Sequence, residues 1–586
     1  MKRLVFGFFV FCFLLCLFLF ASSRLPLTWD EGEVSRRSDE LPAKWSGTID
    51  NEGHPQLPII LAATGKNLLP QKLFSKKFRL RFASIFFVSI SFTVLFYRLR
   101  REFDGVVACF AIMSVLLIPR LFALLQIATW DSCLIASWIC CLATFPLSLR
   151  NIRNTALFGF CLGLAFSSKF SALAIPIPFA LWAIIVLLPD KSLRKIVLVK
   201  HLFIVTIISA TVFFLLNPPL WSNPVSGIIR FFNLNFHREI NIPIMFLGQL
   251  YDLQHQLPFY NTIFWTIITV PTGLLFFFLV GCCSILYSSR FKIRKAEYGK
   301  RSITERLFKG EAYRLTGYGI SWRFGLLLFL NMVVLLLIRM LSGVPVHDGV
   351  RLFAGSYVFL GIFAGIGATA IWRTKNLLPR IITIIIFAIS LFNMFWYAPQ
   401  WLSYYNFAVG GLSGAVKIGM EPTYYWDGFD DEVIKWLNAN TGKDELILFS
   451  KFSPDTFSIY REDGVLLPEF YAEAVLKSEK LNTQAQQRGA IVQGRSLPPI
   501  PAPVYVLCET DSDKKISAKN KTKRIRYYVM QNRTGLQTTV DVYFKSRAQP
   551  VYTKTIRKGG FGAWNLGTTP IIEIYDVKKL PPISER

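Results

Sequence analysis

The chain has 586 residues, 53% hydrophobic and 15% aromatic, with a mean hydropathy of +0.41. A chain this apolar, with 53 Phe mostly drawn into long runs, is excluded from the ordinary soluble class and reads as a polytopic membrane protein with one soluble part at its C-terminal end. The formal charge of +28 does not make it a nucleic-acid binder, because many Lys and Arg sit in short segments between apolar runs, where they orient spans and meet anionic lipid.

The first apolar run, Leu4–Ala21, is about 18 residues, near the lower limit for a spanning helix. A cleavable signal peptide ending at Ala21-Ser22-Ser23 is the alternative. A retained span is expected instead, because cleavage would release the loop that follows. That loop, residues 22–82, carries Thr28-Trp29-Asp30-Glu31-Gly32-Glu33, with two carboxylates beside the bilayer and a Trp suited to the headgroup layer. A second cluster, Glu52-Gly53-His54-Pro55, follows in the same loop. The bland alternative for these acids is a solvated face. Leu57–Leu69 is too short to span and contains Lys66, which predicts a surface helix.

Ten further apolar runs bring the total to about eleven spans. They are Ala83–Tyr97, Val106–Ile118, Cys133–Leu149, Ala156–Ser168, Leu173–Leu188, Leu202–Leu216, Ile263–Leu286, Phe324–Leu341, Phe353–Trp372 and Ile381–Tyr397. With Met1 inside, every even-numbered span ends at a basic inner loop, so the N-terminus is cytoplasmic and the C-terminal region extracytoplasmic. Lys72, Lys76, Lys77, Arg79 and Arg81 run against this pattern, and a long loop tolerates them. Val225–Arg238 has the apolar spacing of a helix lying in the interface. Of the ten Cys, only Cys508 lies outside the apolar runs and their margins, and no spacing suggests zinc or a disulfide framework.

From about Ser403 the character changes. Gly410–Gly414 reads as a flexible turn, Asp430–Asn440 as a short amphipathic helix, and Glu445–Ser450, Val504–Leu507, Tyr527–Met530, Thr538–Phe544 and Ile571–Tyr575 as strands. The expected fold is mainly α: a transmembrane bundle over residues 1–402, with a small extracytoplasmic α/β domain over 403–586.

Five pieces in order resemble the GT-C membrane glycosyltransferases, specifically the bacterial members similar to protein O-mannosyltransferases (glycosyltransferase family 39), and more distantly the lipid A aminoarabinose transferase. They are Trp29-Asp30-Glu31; Glu52-Gly53-His54-Pro55; Arg120-Leu121-Phe122 with Ala128-Thr129-Trp130-Asp131; Gly163–Lys169; and His347-Asp348-Gly349-Val350-Arg351. Tyr404-Tyr405-Asn406 and Gly419–Pro422 add a weaker match. The resemblance covers roughly residues 1–400. It implies transfer of a sugar from a polyprenyl phosphate to an acceptor on the outer face, with inversion at the anomeric carbon. The eukaryotic relatives insert a large outer domain in the central loop. His237–Tyr260 is too short for one, so the tail is expected to help select a protein, lipid or glycan acceptor.

That reaction needs a base for the acceptor hydroxyl and cations for the departing phosphate. Asp30 is the expected base, with Glu31 beside it on an extended loop, pointing elsewhere to hold the loop or a sugar. Asp131 binds the acceptor or orients a basic residue, against the alternative of helix capping with Ser132. Lys169, Arg120 and Arg351 are the phosphate candidates, joined by His347, Asp348, His54 and Glu52 as further substrate contacts. Asp30, Glu52 and His54 lack tight metal-ligand spacing, so no cofactor is expected and a divalent cation is the weaker alternative. A flippase or transporter would favour internal repeats and polar residues at mid-membrane, whereas this chain gathers its acids at one surface. A non-catalytic assembly protein is the remaining alternative.

Overall fold

The structure, a computed structural model, describes residues 2–44, 53–188, 195–237, 242–295, 322–341, 343–425, 428–450, 452–471, 524–556 and 568–579. Among the described residues six helices are long and apolar enough to cross a membrane: Val5–Arg24, Lys76–Glu102, Trp130–Ser148, Val197–Leu215, Trp322–Arg339 and Leu377–Trp396. A seventh crossing forms if Asn261–Thr269 and Thr272–Tyr287, bent by 117° at their break, act together. Gly105–Leu116, Ile152–Phe166, Phe170–Val186 and Ser356–Trp372 are apolar but shorter. Every predicted run is thus helical, yet by length and composition six or seven spans, not eleven, stand on their own.

Burial separates the centre of the bundle from its rim. Trp130–Ser148 is 83% buried, whereas Val5–Arg24 and Leu377–Trp396 are 22% buried and Val197–Leu215 only 11%. Phe8, Phe9, Phe13 and Phe20 of the first helix point outward, as an apolar face does when its solvent is hydrocarbon. The Ser356–Trp372 helix packs closest through glycine. Gly361 and Gly365 sit against Val115 and Ala111, and Gly367 and Gly281 each abut a backbone carbonyl of the opposing helix, Phe277 and Phe363. Small residues permit this backbone approach. Gly367→Ala would drive a methyl into the Phe277 carbonyl, which cannot swing aside. The expected cost is about 1–3 kcal/mol, read as a lower melting temperature of the detergent-solubilised protein.

The bend after Thr269 has a local cause. Pro271 lacks the N–H that would continue the helix, which frees the preceding carbonyls. Asn406 takes three of them, donating from its amide to Ile267 (2.6 Å) and Val270 (2.7 Å) and from its backbone to Ile268 (2.8 Å).

Four sequence expectations are corrected. Trp29–Lys44 is an α-helix, not an extended loop. Leu57–Leu68 is helical but packed in, with Leu57, Ile59, Ala62 and Lys66 buried, so it does not lie free on a surface. Gly411–Lys417 is a short helix entered through Gly410 at φ 75°, and Thr539–Arg547 is a helix where a strand was expected. In the last case Thr538 and Asp541 cap each other reciprocally, and this start signal outweighs the β-branched composition. Val225–Arg238 is found as a helix over Pro224–Phe236, with Val225, Ile229 and Phe236 exposed. Val504–Leu507 lies outside the described residues.

The C-terminal sheet runs in the order Glu469–Tyr471, Glu445–Phe449, Arg524–Gln531, Thr569–Asp576, Tyr552–Ile556, the first three parallel and the last two joined antiparallel. Its two faces bury alternate residues. Leu448, Tyr528, Met530 and Tyr575 meet Val540 and Phe544 on one side. Ile447, Phe449, Val529 and Ile574 meet Val433, Leu437 and Phe457 on the other, in a core that continues into Val34, Ile59 and Trp130. The α/β part is therefore docked on the helix that begins with the acidic motif.

Candidate active site

The acidic motif is shaped by its own capping. The spacing Thr28-x-x-Glu31 lets the Glu31 carboxylate accept from the Thr28 backbone N–H (3.0 Å) and hydroxyl (3.2 Å), which starts the helix. Glu31 is fully buried and held bidentately by Arg81 (2.6 and 2.7 Å), with a further N–H from Ala128 (3.1 Å). Arg81 spends its other donors on the carbonyls of Ser22, Leu25 and Pro26 (2.7–2.9 Å). Burial pushes the Glu31 carboxyl up, but the Arg81 charge and these hydrogen bonds outweigh it and hold the group below its ordinary 4.5. Glu31 is thus the anchor of the motif, spent on Arg81, Thr28 and Ala128. Arg81 and its basic neighbours also lose their anomaly: Lys76 pairs with Asp39 and Glu462, Lys66 with Asp39, and Asp463 accepts from the Lys77 backbone.

With Glu31 turned inward, Asp30 in the same helical turn faces the bundle. There Arg351 collects three carboxylates. Its Nε donates to Asp131 (2.6 Å), one terminal nitrogen to Asp348 (2.8 Å) and the other to Asp30. Lys169 Nζ donates to the second oxygen of Asp131 (2.6 Å). The Tyr425 ring lies under the Arg351 guanidinium at 4.6 Å, and its hydroxyl is 3.5 Å from Asp30. The five charged side chains are 4–15% exposed.

Four separate segments supply these groups. Asp131 opens the Trp130–Ser148 helix, whose N-cap is Thr129, its backbone N–H donating to the Ser132 hydroxyl (3.4 Å). Capping therefore does not use the Asp131 carboxylate, which is left for the two cations. Lys169 follows the end of Ile152–Phe166. Asp348 adopts φ 63° and is followed by Gly349 at φ 53°, a tight reversal that throws Arg351 back toward Asp131. Arg339 pins that loop by donating to the Val346 (2.7 Å) and His347 (3.1 Å) carbonyls.

The other predicted residues flank or miss this cluster. The His54 ring packs at a tilt against Trp130, centroids 4.6 Å apart, and the Trp130 indole donates to the Pro55 carbonyl (3.2 Å), so the His-Pro segment abuts the residue next to Asp131. His347 Nε2 is 3.8 Å from Asp348. Arg120 stands apart. It is buried, donates to the Tyr404 carbonyl (2.8 Å) and packs its guanidinium on Tyr405 (4.5 Å) and Trp265 (5.7 Å), without joining the ion network. Glu52 lies outside the described residues. Arg81, Tyr425 and Arg339 were not foreseen. The Thr28-x-x-Glu31 spacing was the signal for Glu31's structural duty, but nothing local marks Tyr425. Its neighbour Tyr424 is braced from the C-terminal domain by Arg533, which donates to the Tyr424 carbonyl (3.1 Å). Glu421, buried and accepting from the backbone of Met245, Thr534 and Gly535 (2.7–3.1 Å), ties the same segment down. Among the described residues no group of three or more His, Cys, Asp or Glu side chains is arranged around a metal position.

Residues 69–221 match the family described as dolichyl-phosphate-mannose-protein mannosyltransferase. The fold is that of ArnT from Cupriavidus metallidurans in the apo state, at a TM-score of 0.50 and 13% identity over 98% of both chains. The same protein bound to undecaprenyl phosphate superposes at a TM-score of 0.47, with 13% identity and 98% of both chains covered. The archaeal oligosaccharyltransferase AglB from Archaeoglobus fulgidus, in complex with an inhibitory peptide and a dolichol-phosphate, is similar at 0.44 and 12% identity, over 96% of this chain and 75% of that one. No curated protein matches the chain. The family match and the shared fold agree with the GT-C resemblance read from the sequence motifs.

Proposed function

We propose that the protein is a membrane glycosyltransferase that moves a mannose-like hexose or related sugar from a polyprenyl phosphate to an acceptor hydroxyl on the outer face. One observation carries this reading: Asp30, Asp131, Lys169, Asp348 and Arg351, from four segments, converge at one end of an apolar bundle. Ion clusters cost desolvation energy, and gathering one at a partly open rim favours a reactive site over a structural one.

In the reaction the acceptor oxygen attacks the anomeric carbon while its proton passes to the Asp30 carboxylate. The bond from that carbon to the phosphate oxygen breaks, and the phosphate leaves with the electron pair. Lys169 and Arg351 are the cations for the developing charge. With three carboxylates around two cations the resting cluster carries a surplus negative charge. An arriving phosphate competes with Asp30 for Arg351, so donor binding itself releases the base. Asp131 holds both cations in place, and Tyr425 keeps the guanidinium plane fixed.

Arg351→Lys retains the charge but not the planar fork that reaches three carboxylates. The expected result is transfer lowered by about a hundredfold, with an unchanged melting temperature. Full activity in this variant would remove Arg351 from phosphate recognition. We extend the reading to a reaction that needs no divalent ion, since two cations already face the leaving group. Transfer then survives dialysis against a chelator, and loss restored by one added metal refutes it. The decisive experiment is purified protein incubated with a panel of polyprenyl-phosphate sugars, the glycosylated product being identified by mass spectrometry. Absence of transfer from every donor overturns the proposal. The proposed location is the plasma (inner) membrane with the α/β domain outside. A cysteine at exposed Val465 is expected to react with an impermeant thiol reagent in intact cells.

A further inference from the structure

At the far end of the bundle a second group of charges has no counterpart in the site above. Arg98 lies on the same helix as Arg81 but about 25 Å further along, near the thickness of a bilayer core. It is only 6% exposed, and although one terminal nitrogen meets Glu102, its Nε and other terminal nitrogen are buried with no hydrogen-bond partner. Its guanidinium lies 5.5 Å over the Phe324 ring, which closes one side. Arg101 and Arg150 are close enough for their charges to act on it, and the Nε of Arg150 is likewise buried and unpaired. Glu102 is the carboxylate whose charge acts on both Arg98 and Arg150. Exposed Ile152 follows on the adjoining helix.

A buried guanidinium with unpaired donors is costly, and Arg98 and Arg150 both hold buried nitrogens that lack an acceptor. We propose that Arg98, Arg101 and Arg150 form a binding site for a phosphate group, supplied by the headgroup of an anionic phospholipid in the leaflet opposite the active site. A phosphate offers several acceptor oxygens to forked donors at once. The level of the site, at a helix end beside exposed apolar side chains, favours a lipid as its source.

The test is native mass spectrometry and thermal unfolding of the full chain in detergent, with phosphatidylglycerol, phosphatidylethanolamine or inorganic phosphate added separately. Phosphatidylglycerol is expected to stay bound and raise the melting temperature more than phosphatidylethanolamine. The Arg101→Gln/Arg150→Gln variant, which spares buried Arg98, is expected to lose about tenfold in retention. Lys375→Gln, an exposed basic residue beyond the end of Ser356–Trp372, serves as the charge control and keeps wild-type retention. Stabilisation by inorganic phosphate as well would assign the site to the phosphate group alone. Equal retention of the two lipids, or an unchanged preference in the double variant, overturns the proposal.

Discussion

Asp30→Asn is expected to lower sugar transfer by about a hundred- to ten-thousandfold while the protein remains folded and membrane-inserted. Asn has the shape of Asp and can still accept from Arg351 and from the Tyr425 hydroxyl, the two partners Asp30 has here. Arg351 also keeps Asp131 and Asp348, so no buried cation is stranded. What disappears is the proton acceptor for the incoming hydroxyl. Transfer by single-turnover assay, set beside the melting temperature, separates the two roles. Unchanged transfer would remove Asp30 from the chemistry, and a collapsed melting temperature would make it a structural residue.

The second large effect is expected at Glu31, one residue away and opposite in kind. Glu31→Ala strands Arg81 inside the protein, which costs about 3–5 kcal/mol of stability. The variant is expected to accumulate poorly, while the molecules that do fold should retain transfer. Replacing both partners, Glu31→Leu with Arg81→Met, should recover only part of the loss. The carbonyls of Ser22, Leu25 and Pro26 that Arg81 satisfies would stay unpaired. The same pair predicts an acid limit. The folded-state pKa of Glu31 is depressed, so its contribution is complete above its ordinary 4.5 and fades as pH falls below that value through the folded pKa. Thermal unfolding measured across that range in wild type and in the Glu31 variant should converge at the acid end. Parallel curves would show that Glu31 is not the titrating anchor.

Much of the architecture was readable because it is local. Runs of apolar residues announce helices whatever they pack against, and each expected run is helical. The charged positions now gathered around Arg351 were also named from the chain, through the motifs that resemble the GT-C enzymes and because a carboxylate or cation at the end of an apolar run needs a reason to be there. Asp30 and Glu31 are adjacent and chemically alike. Which of them faces the rim depends on Arg81, 50 residues on, and on Arg351, 321 residues from Asp30. Thr538–Phe544 was misread because composition favoured a strand where a capping pair started a helix. Arg120, named from its motif and its residue type, lies outside the ion network, and its aromatic surroundings come from residues beyond position 260.

By itself, then, the amino-acid sequence determined that this is an apolar helical bundle with acids gathered at one end and a small α/β appendage. Hydropathy and capping act over a few residues, and they can be read in order. The tertiary structure alone decided that Arg81 is what holds Glu31, that Asp131 serves two cations, and that Tyr425 completes the cluster from beyond the bundle. Those outcomes are set by pairing across hundreds of residues. There the energy of an ion pair depends on distance and burial, quantities that exist only once the chain has packed.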